Sequence, residues 1–312
     1  MRESYKERNS AIRDQAHSLR MTNFSKKRVR QAGITRVISF TSGKGGVGKT
    51  TTVVNLAVCL ARLGRSVLIL DADLGLANVD VMMGLRVKHT LHDVVQGRKS
   101  LRDVIIDGPE GVSIIPAASG VESICNLTGD ERLVLMQSIE DVAINYDYLL
   151  IDTRAGISAD VLHFNSAASE IVCVITNEPT SLTDAYAMIK ILTKNYAERR
   201  ICILANNIAP GEGTSSEAEA QSAFRRLSGS VTRFLQKEQV ELRYLGHVPA
   251  EQLVPDSIRQ QRPVVQVFPS GAASRAIDGL ARKIDQEFSE YRVKGGMQFF
   301  FQQLLESQVL SG

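Results

Sequence analysis

Cysteine is scarce in this chain. The 312 residues hold four, Cys59, Cys125, Cys173 and Cys202, widely spread and with no C-x-x-C pair. Cys173 and Cys202 fall in apolar strand-like runs and Cys59 in a helical segment, which predicts buried thiols in a reducing compartment. One remaining cysteine, Cys125, is too few for an iron–sulfur cluster bridging two subunits. His89 and His92 lie three apart with no third ligand nearby, so no metal centre of the zinc kind is expected. No run of 18 apolar residues occurs, and the N-terminus lacks an apolar signal-type core. A cytoplasmic location is therefore expected. No internal repeat is visible.

Strong overall charge is also missing. The net charge is +3, which does not mark the whole chain as a nucleic-acid binder. The charge is uneven, however. Residues 1–36 hold ten Lys and Arg against three Asp and Glu, whereas the rest holds 27 against 31. A basic arm is attached to a mildly acidic body. Hydrophobic content of 44% and charged content of 23% are ordinary for a globular protein.

After residue 36, strand-like and helix-like segments alternate. Short apolar runs occur at 36–41, 66–71, 111–116, 146–152, 170–176, 201–206 and 242–248, and their near-continuous apolarity predicts strands covered on both faces. Helical spacing covers 49–63, 130–143, 182–195, 218–236 and 272–292. The expected fold is α/β, a mostly parallel doubly wound sheet flanked by helices. Residues 1–35 form an arm, 36–293 the main domain and 294–312 an amphipathic tail. Residues 72–128 read as irregular around their one strand.

Between the first strand and first helix stands Gly43-Lys44-Gly45-Gly46-Val47-Gly48-Lys49-Thr50-Thr51. The spacing G-x-x-x-x-G-K-[ST] suits a loop whose backbone N–H groups turn inward around a polyphosphate. Gly45, Gly46 and Gly48 are expected to take backbone angles that other residues resist. Lys49 would reach the β- and γ-phosphates, and the Thr50 hydroxyl would complete a Mg²⁺ shell. Lys44 is an additional cation, redundant for one chain and suited to a partner's nucleotide if two subunits meet face to face. The second strand ends in Asp71-Ala72-Asp73, where carboxylates face the ligand crevice of a doubly wound sheet. One such group can hold Mg²⁺ through water and another can orient an attacking water. Asp71 suits the metal side or a structural role, and Asp80 a helix cap or acidic turn.

The pattern K-G-G-V-G-K-T resembles the deviant Walker A loop of the MinD/ParA ATPases. In that family the lysine matching Lys44 crosses the dimer interface to the other subunit's phosphates. The resemblance implies a slow, switch-type ATPase that dimerises on ATP and Mg²⁺. Asp73 matches the family's water-positioning aspartate, so Asp73, Lys44 and Lys49 form the expected catalytic set. The run Tyr146–Asp152 with Thr153-Arg154-Ala155-Gly156 looks like Walker B and switch II, with Asp152 reaching Mg²⁺ through water. Arg154 stands where relatives carry a small or neutral residue, as a phosphate-sensing or interface cation or a solvated side chain. Asn206 matches a base-contacting asparagine, its plainer use being to cap the next loop. The absence of an N/T-K-x-D guanine motif favours ATP. Glu178 resembles a position near the partner's ribose, although the order here is Asn-Glu-Pro rather than Asn-Pro-Glu.

Both ends carry further signals. Met297, Phe300, Phe301, Leu304 and Leu305 make one helical stripe, suited to a membrane interface or to packing on its own domain. In the arm, Asp14-Gln15-Ala16-His17-Ser18-Leu19-Arg20 resembles the D-Q-A-x-x-L-R element of the FlhG/FleN flagellar-number ATPases. There the element docks on the signal-recognition-type GTPase FlhF and stimulates it, which assigns partner binding to Asp14, Gln15, Ala16, Leu19 and Arg20. The family role implies flagellar switch-complex proteins and, in some bacteria, a flagellar transcription activator as further partners. It also implies reversible attachment to the inner face of the membrane. A septum-site MinD would share loop and tail without needing the arm. A ParA-type DNA segregation protein would need a basic body, which this chain lacks, so no direct nucleic-acid binding is expected.

Overall fold

The computed structural model describes residues 35–73, 78–117 and 129–287. The arm motif, the tail stripe and Cys125 therefore lie outside the described residues. In chain order the elements begin with β1 (Arg36–Thr41), α1 (Lys49–Arg62) and β2 (Val67–Ala72). Three short helices follow, α2 (Val79–Met82), α3 (Leu91–Val95) and α4 (Leu101–Val104), then β3 (Ile106–Asp107) and β4 (Ser113–Ile115). The remainder alternates as α5 (Gly129–Ala143), β5 (Tyr148–Thr153), α6 (Ala159–Ala167), β6 (Glu170–Ile175) and α7 (Pro179–Tyr196). It closes with β7 (Arg200–Ile208), α8 (Ser216–Phe234), β8 (Glu241–Pro249), α9 (Leu253–Arg259), α10 (Val264–Val267) and α11 (Ala272–Glu287).

The eight strands form one sheet in the order β3-β4-β2-β5-β1-β6-β7-β8. Every pair is parallel except β3 with β4. Up to β5 the chain winds to one side of β1, and from β6 onward to the other. The switch point, where doubly wound sheets bind ligands, therefore lies at the carboxyl end of β1.

The two-residue period of the strands divides the core. Ile38, Phe40, Leu150, Val172 and Leu204 face one side, under α1 and α11. Val37, Leu149 and Ile151 face the other side with Leu135 and Ile139 of α5, while Ile171, Ile203 and Ala205 meet α7 and α8. Burial on both faces explains why these strands read as unbroken apolar runs.

The described residues of the stretch expected to be irregular contain three short α-helices. Two of them start with capping boxes, Thr90 with Asp93 and Ser100 with Asp103. Segments of four or five residues are too short to show a helical period, which is why spacing missed them.

At the far end of the sheet from the loop, Asp285 of α11 takes two hydrogen bonds from Arg65, at 2.8 and 2.9 Å, and one from the Tyr148 hydroxyl at 2.9 Å. This fixes α11 against β5. Among the described residues no helix is long and apolar enough to cross a membrane.

Candidate nucleotide-binding site

The loop leaving β1 builds the site. Gly48 precedes α1 with φ 85° and Gly46 has φ 77°, the left-handed region in which a side chain is strained. Gly45 does not share that conformation, and a Cβ there would meet nothing within 4 Å. This corrects the expectation that all three glycines are required by their backbone angles. Gly43 is required by close approach, because a Cβ would lie 2.3 Å from the Asp184 carbonyl carbon in α7. The first turn of α1 has neither an acidic residue nor a side-chain cap, which leaves its N–H groups and positive dipole end for an anion.

Lys49 is buried, with Nζ 3.3 Å from Asp152 Oδ1. That oxygen is buried without a hydrogen-bond partner. Burial raises the Asp152 carboxyl above its ordinary range, and Lys49 and Thr50 oppose the rise. Asp71 stands beside Asp152 in the β2–β5 register. Burial, and then the charge of Asp152, push Asp71 up to about 7, against backbone N–H groups that favour its ionised form.

Two adjacent buried carboxylates, one with an orphaned oxygen beside Thr50 and Lys49, fit a divalent cation brought in by a polyphosphate. Mg²⁺ suits such a place because it keeps waters and phosphate oxygens and needs few protein ligands. Among the described residues no group of three or more His, Cys, Asp or Glu forms a protein cage for a metal. Asp71 has a structural role besides its place at the metal side. Its oxygens accept from the backbone N–H of Asp73 at 3.1 Å, Asn78 at 3.2 Å and Val79 at 3.3 Å.

Asp73 projects from the end of β2 with Oδ1 buried and without a hydrogen-bond partner. Arg154 Nε lies 3.8 Å from that oxygen. The segment after β5 is fastened to β1 and its loop, since Thr153 Oγ1 donates to the Phe40 carbonyl at 2.8 Å and Gly156 N to the Ser42 carbonyl at 2.9 Å.

Lys44 is held within its own chain. Its Nζ donates to Glu178 Oε2 and, at 3.0 Å, to Thr180 Oγ1, both at the start of α7. Glu178 thus meets the signature lysine of its own subunit. Thr180 is a partner that spacing missed, and the only hint was its place two residues beyond Glu178. Asn206 is tied to the phosphate loop, its Nδ2 donating to the Val47 carbonyl at 2.8 Å. A Cβ on Gly48 would lie 2.2 Å from that same nitrogen. The end of β7 therefore braces the phosphate loop from beneath. Thr51 faces Met82 of α2, 3.9 Å from its sulfur.

The three described cysteines, Cys59, Cys173 and Cys202, are buried and free. Burial pushes each thiol up to about 12. They are inert packing residues rather than chemistry.

Comparison with known proteins agrees with this geometry. A profile described as AAA domain matches residues 35–203. Antiactivator FleN of Pseudomonas aeruginosa is 44% identical over 271 residues, covering 87% of this chain and 94% of that protein. Flagellum site-determining protein YlxH of Helicobacter pylori is 34% identical over 278 residues, covering 88% of this chain and 91% of that protein. Among solved structures, the septum site-determining protein MinD of Pyrococcus horikoshii, complexed with Mg-ADP, matches with a TM-score of 0.64 at 27% identity. That match covers 84% of this chain and all of the MinD chain. The loop with its second lysine, the buried Lys49–Asp152 pair and the likeness along nearly the whole of FleN lead to one conclusion: the chain belongs to the MinD/ParA family of P-loop ATPases, within its FleN/YlxH flagellar branch.

Proposed function

We propose that this chain is an ATP-operated dimerisation switch that controls flagellar number and placement. The flagellar part rests on the likeness to FleN and YlxH along about nine-tenths of their lengths. The switch part rests on one observation, that Lys44 sits at the mouth of the loop in an exposed contact with Glu178 of its own subunit.

In this reading the N–H groups of residues 43–51 would hold the phosphates, with Lys49 reaching the β- and γ-oxygens and the Thr50 hydroxyl available to Mg²⁺. Asp152 would reach the same ion through water, beside Asp71, whose oxygens also hold the backbone of residues 73, 78 and 79. When bound, Mg²⁺ would neutralise charge on the β- and γ-phosphates. Asp73 orients a water in line with the γ-phosphorus, and water displaces ADP to give inorganic phosphate. Lys44 leaves Glu178 and Thr180 for the partner's phosphates, and Glu178 is released toward the partner's ribose. Asn206 reaches the adenine edge through its carbonyl oxygen, the atom not used on Val47. ATP-bound pairs associate with the inner face of the membrane through the two tails, whose stripes bind together far better than one. Hydrolysis is slow and returns single cytoplasmic subunits.

Outputs follow from the ends and the dimer face. The arm element around Gln15 and Arg20 docks on an FlhF-type GTPase. The dimer presents surfaces to switch-complex proteins and, by likeness to the antiactivator FleN, to a transcription activator. The test is GTP turnover by the cognate FlhF-type GTPase with the full chain and with Gln15→Ala. Stimulation lost on substitution supports the flagellar assignment. Equal turnover with and without the wild-type chain would return the septum-placement reading.

A further inference from the structure

We propose that Arg154 is a positioning residue that restrains Asp73, so that an ion pair between the loops leaving β2 and β5 holds down ATP turnover in this chain. The inference rests on the reading of Asp73 as the residue that orients the attacking water.

Topology makes the pair. β2 and β5 are parallel neighbours in register, Asp71 beside Asp152 and Ala72 beside Thr153, so the next two residues emerge side by side at the ligand end. Those residues are Asp73 and Arg154, with Nε 3.8 Å from Oδ1. Backbone contacts anchor both neighbourhoods. Asp73 N is held by Asp71, while Thr153 and Gly156 tie the segment around Arg154 to Phe40 and Ser42. Among the described residues no hydrogen-bond donor reaches Asp73 Oδ1, and the Arg154 guanidinium is the cation beside it.

To orient water, the Asp73 carboxylate must accept a hydrogen bond from it. A cation beside the carboxylate draws it aside and weakens it as an acceptor. At 3.8 Å the contact exceeds the 2.7–2.9 Å of a charge-assisted hydrogen bond. Arg154 is also 54% exposed. The restraint is therefore modest and screened by salt. An arginine acting on the transferred phosphoryl group would behave oppositely, because its removal costs about 10³-fold or more.

The experiment measures steady-state ATP turnover of full-length wild type, Arg154→Ala, Arg154→Lys and Asp73→Asn, with saturating Mg-ATP and a sodium chloride series. Arg154→Ala is expected to raise kcat by about 1.5–5-fold, the range of one exposed ion pair, with KM unchanged. Arg154→Lys is expected to fall between it and wild type. Added salt should lift wild-type turnover toward that of Arg154→Ala, whose own turnover stays flat. An Arg154→Ala rate equal to or below wild type overturns the restraint, and a fall of about 10²-fold or more makes Arg154 a phosphate-facing cation instead. Asp73→Asn separates the two levels. Turnover lost there with Arg154→Ala at the wild-type rate defeats the restraint alone, whereas wild-type turnover in Asp73→Asn defeats the reading of Asp73 and the restraint with it.

Discussion

Lys44 and Lys49 stand five residues apart on one loop and live in different physical surroundings. The Lys49 side chain is 9% exposed and pairs with Asp152, itself 1% exposed. The Lys44 side chain is 37% exposed and pairs with Glu178, 58% exposed. Breaking a buried pair by removing one partner costs about 3–5 kcal/mol, because a charge is left uncompensated. Breaking an exposed pair costs about 0–1 kcal/mol. The energetics therefore assign fixed and movable roles before any nucleotide is considered. Lys49 is part of the folded site, and Lys44 is free to exchange one anionic partner for another.

The strongest way to break this comparison is Lys49→Ala, which should lower ATP turnover by about 10²–10³-fold and weaken binding of a fluorescent ATP analogue. It should also lower the thermal midpoint, since Asp152 loses its counter-charge. Lys44→Ala should lower turnover by about 10²-fold yet leave the analogue's affinity for the single subunit within about threefold. Thr180→Val sharpens the contrast. With one intrasubunit partner fewer, Lys44 should support ATP-dependent dimers at a protein concentration about 2–5-fold lower, with the thermal midpoint unchanged.

A fourth variant shows what a purely structural pair does. Asp285→Asn should cost about 1 kcal/mol at pH 7 and leave turnover unchanged, the figure being small because Arg65 is itself partly exposed. Burial works against the Asp285 charge, but hydrogen bonds from Arg65 and Tyr148 and the nearby arginine charges outweigh it, and the carboxyl is held below its ordinary 3.8. A depressed carboxyl contributes stability above its unfolded value and loses it as pH falls through the folded one. Wild type and Asp285→Asn should therefore converge in urea unfolding as pH drops below about 4.

Much of this was legible in the sequence because its causes are local. Apolar strands such as Val67–Leu70 read directly, since both faces are covered. The phosphate loop read directly because its chemistry needs fixed spacing within nine residues. Tertiary contacts did not read. Lys44 and Glu178 are 134 positions apart, and Asn206 and Val47 159, and no local pattern links them. The start of α7 was placed three residues late because its first turn, Pro179-Thr180-Ser181, breaks the apolar period. That turn carries the Thr180 hydroxyl on Lys44, a contact that spacing alone does not reach. Gly45 shows the opposite failure, because a motif position need not carry a steric reason in the folded chain.

Sedimentation velocity of the full chain with Mg-ATP, for wild type and Lys44→Ala in an Asp73→Asn background that preserves the nucleotide, tests the exchange of partners by Lys44 most directly. The account predicts a dimer for the chain with Lys44 and a nucleotide-bound monomer for Lys44→Ala. A Lys44→Ala chain that dimerises at the same protein concentration as its parent would contradict it.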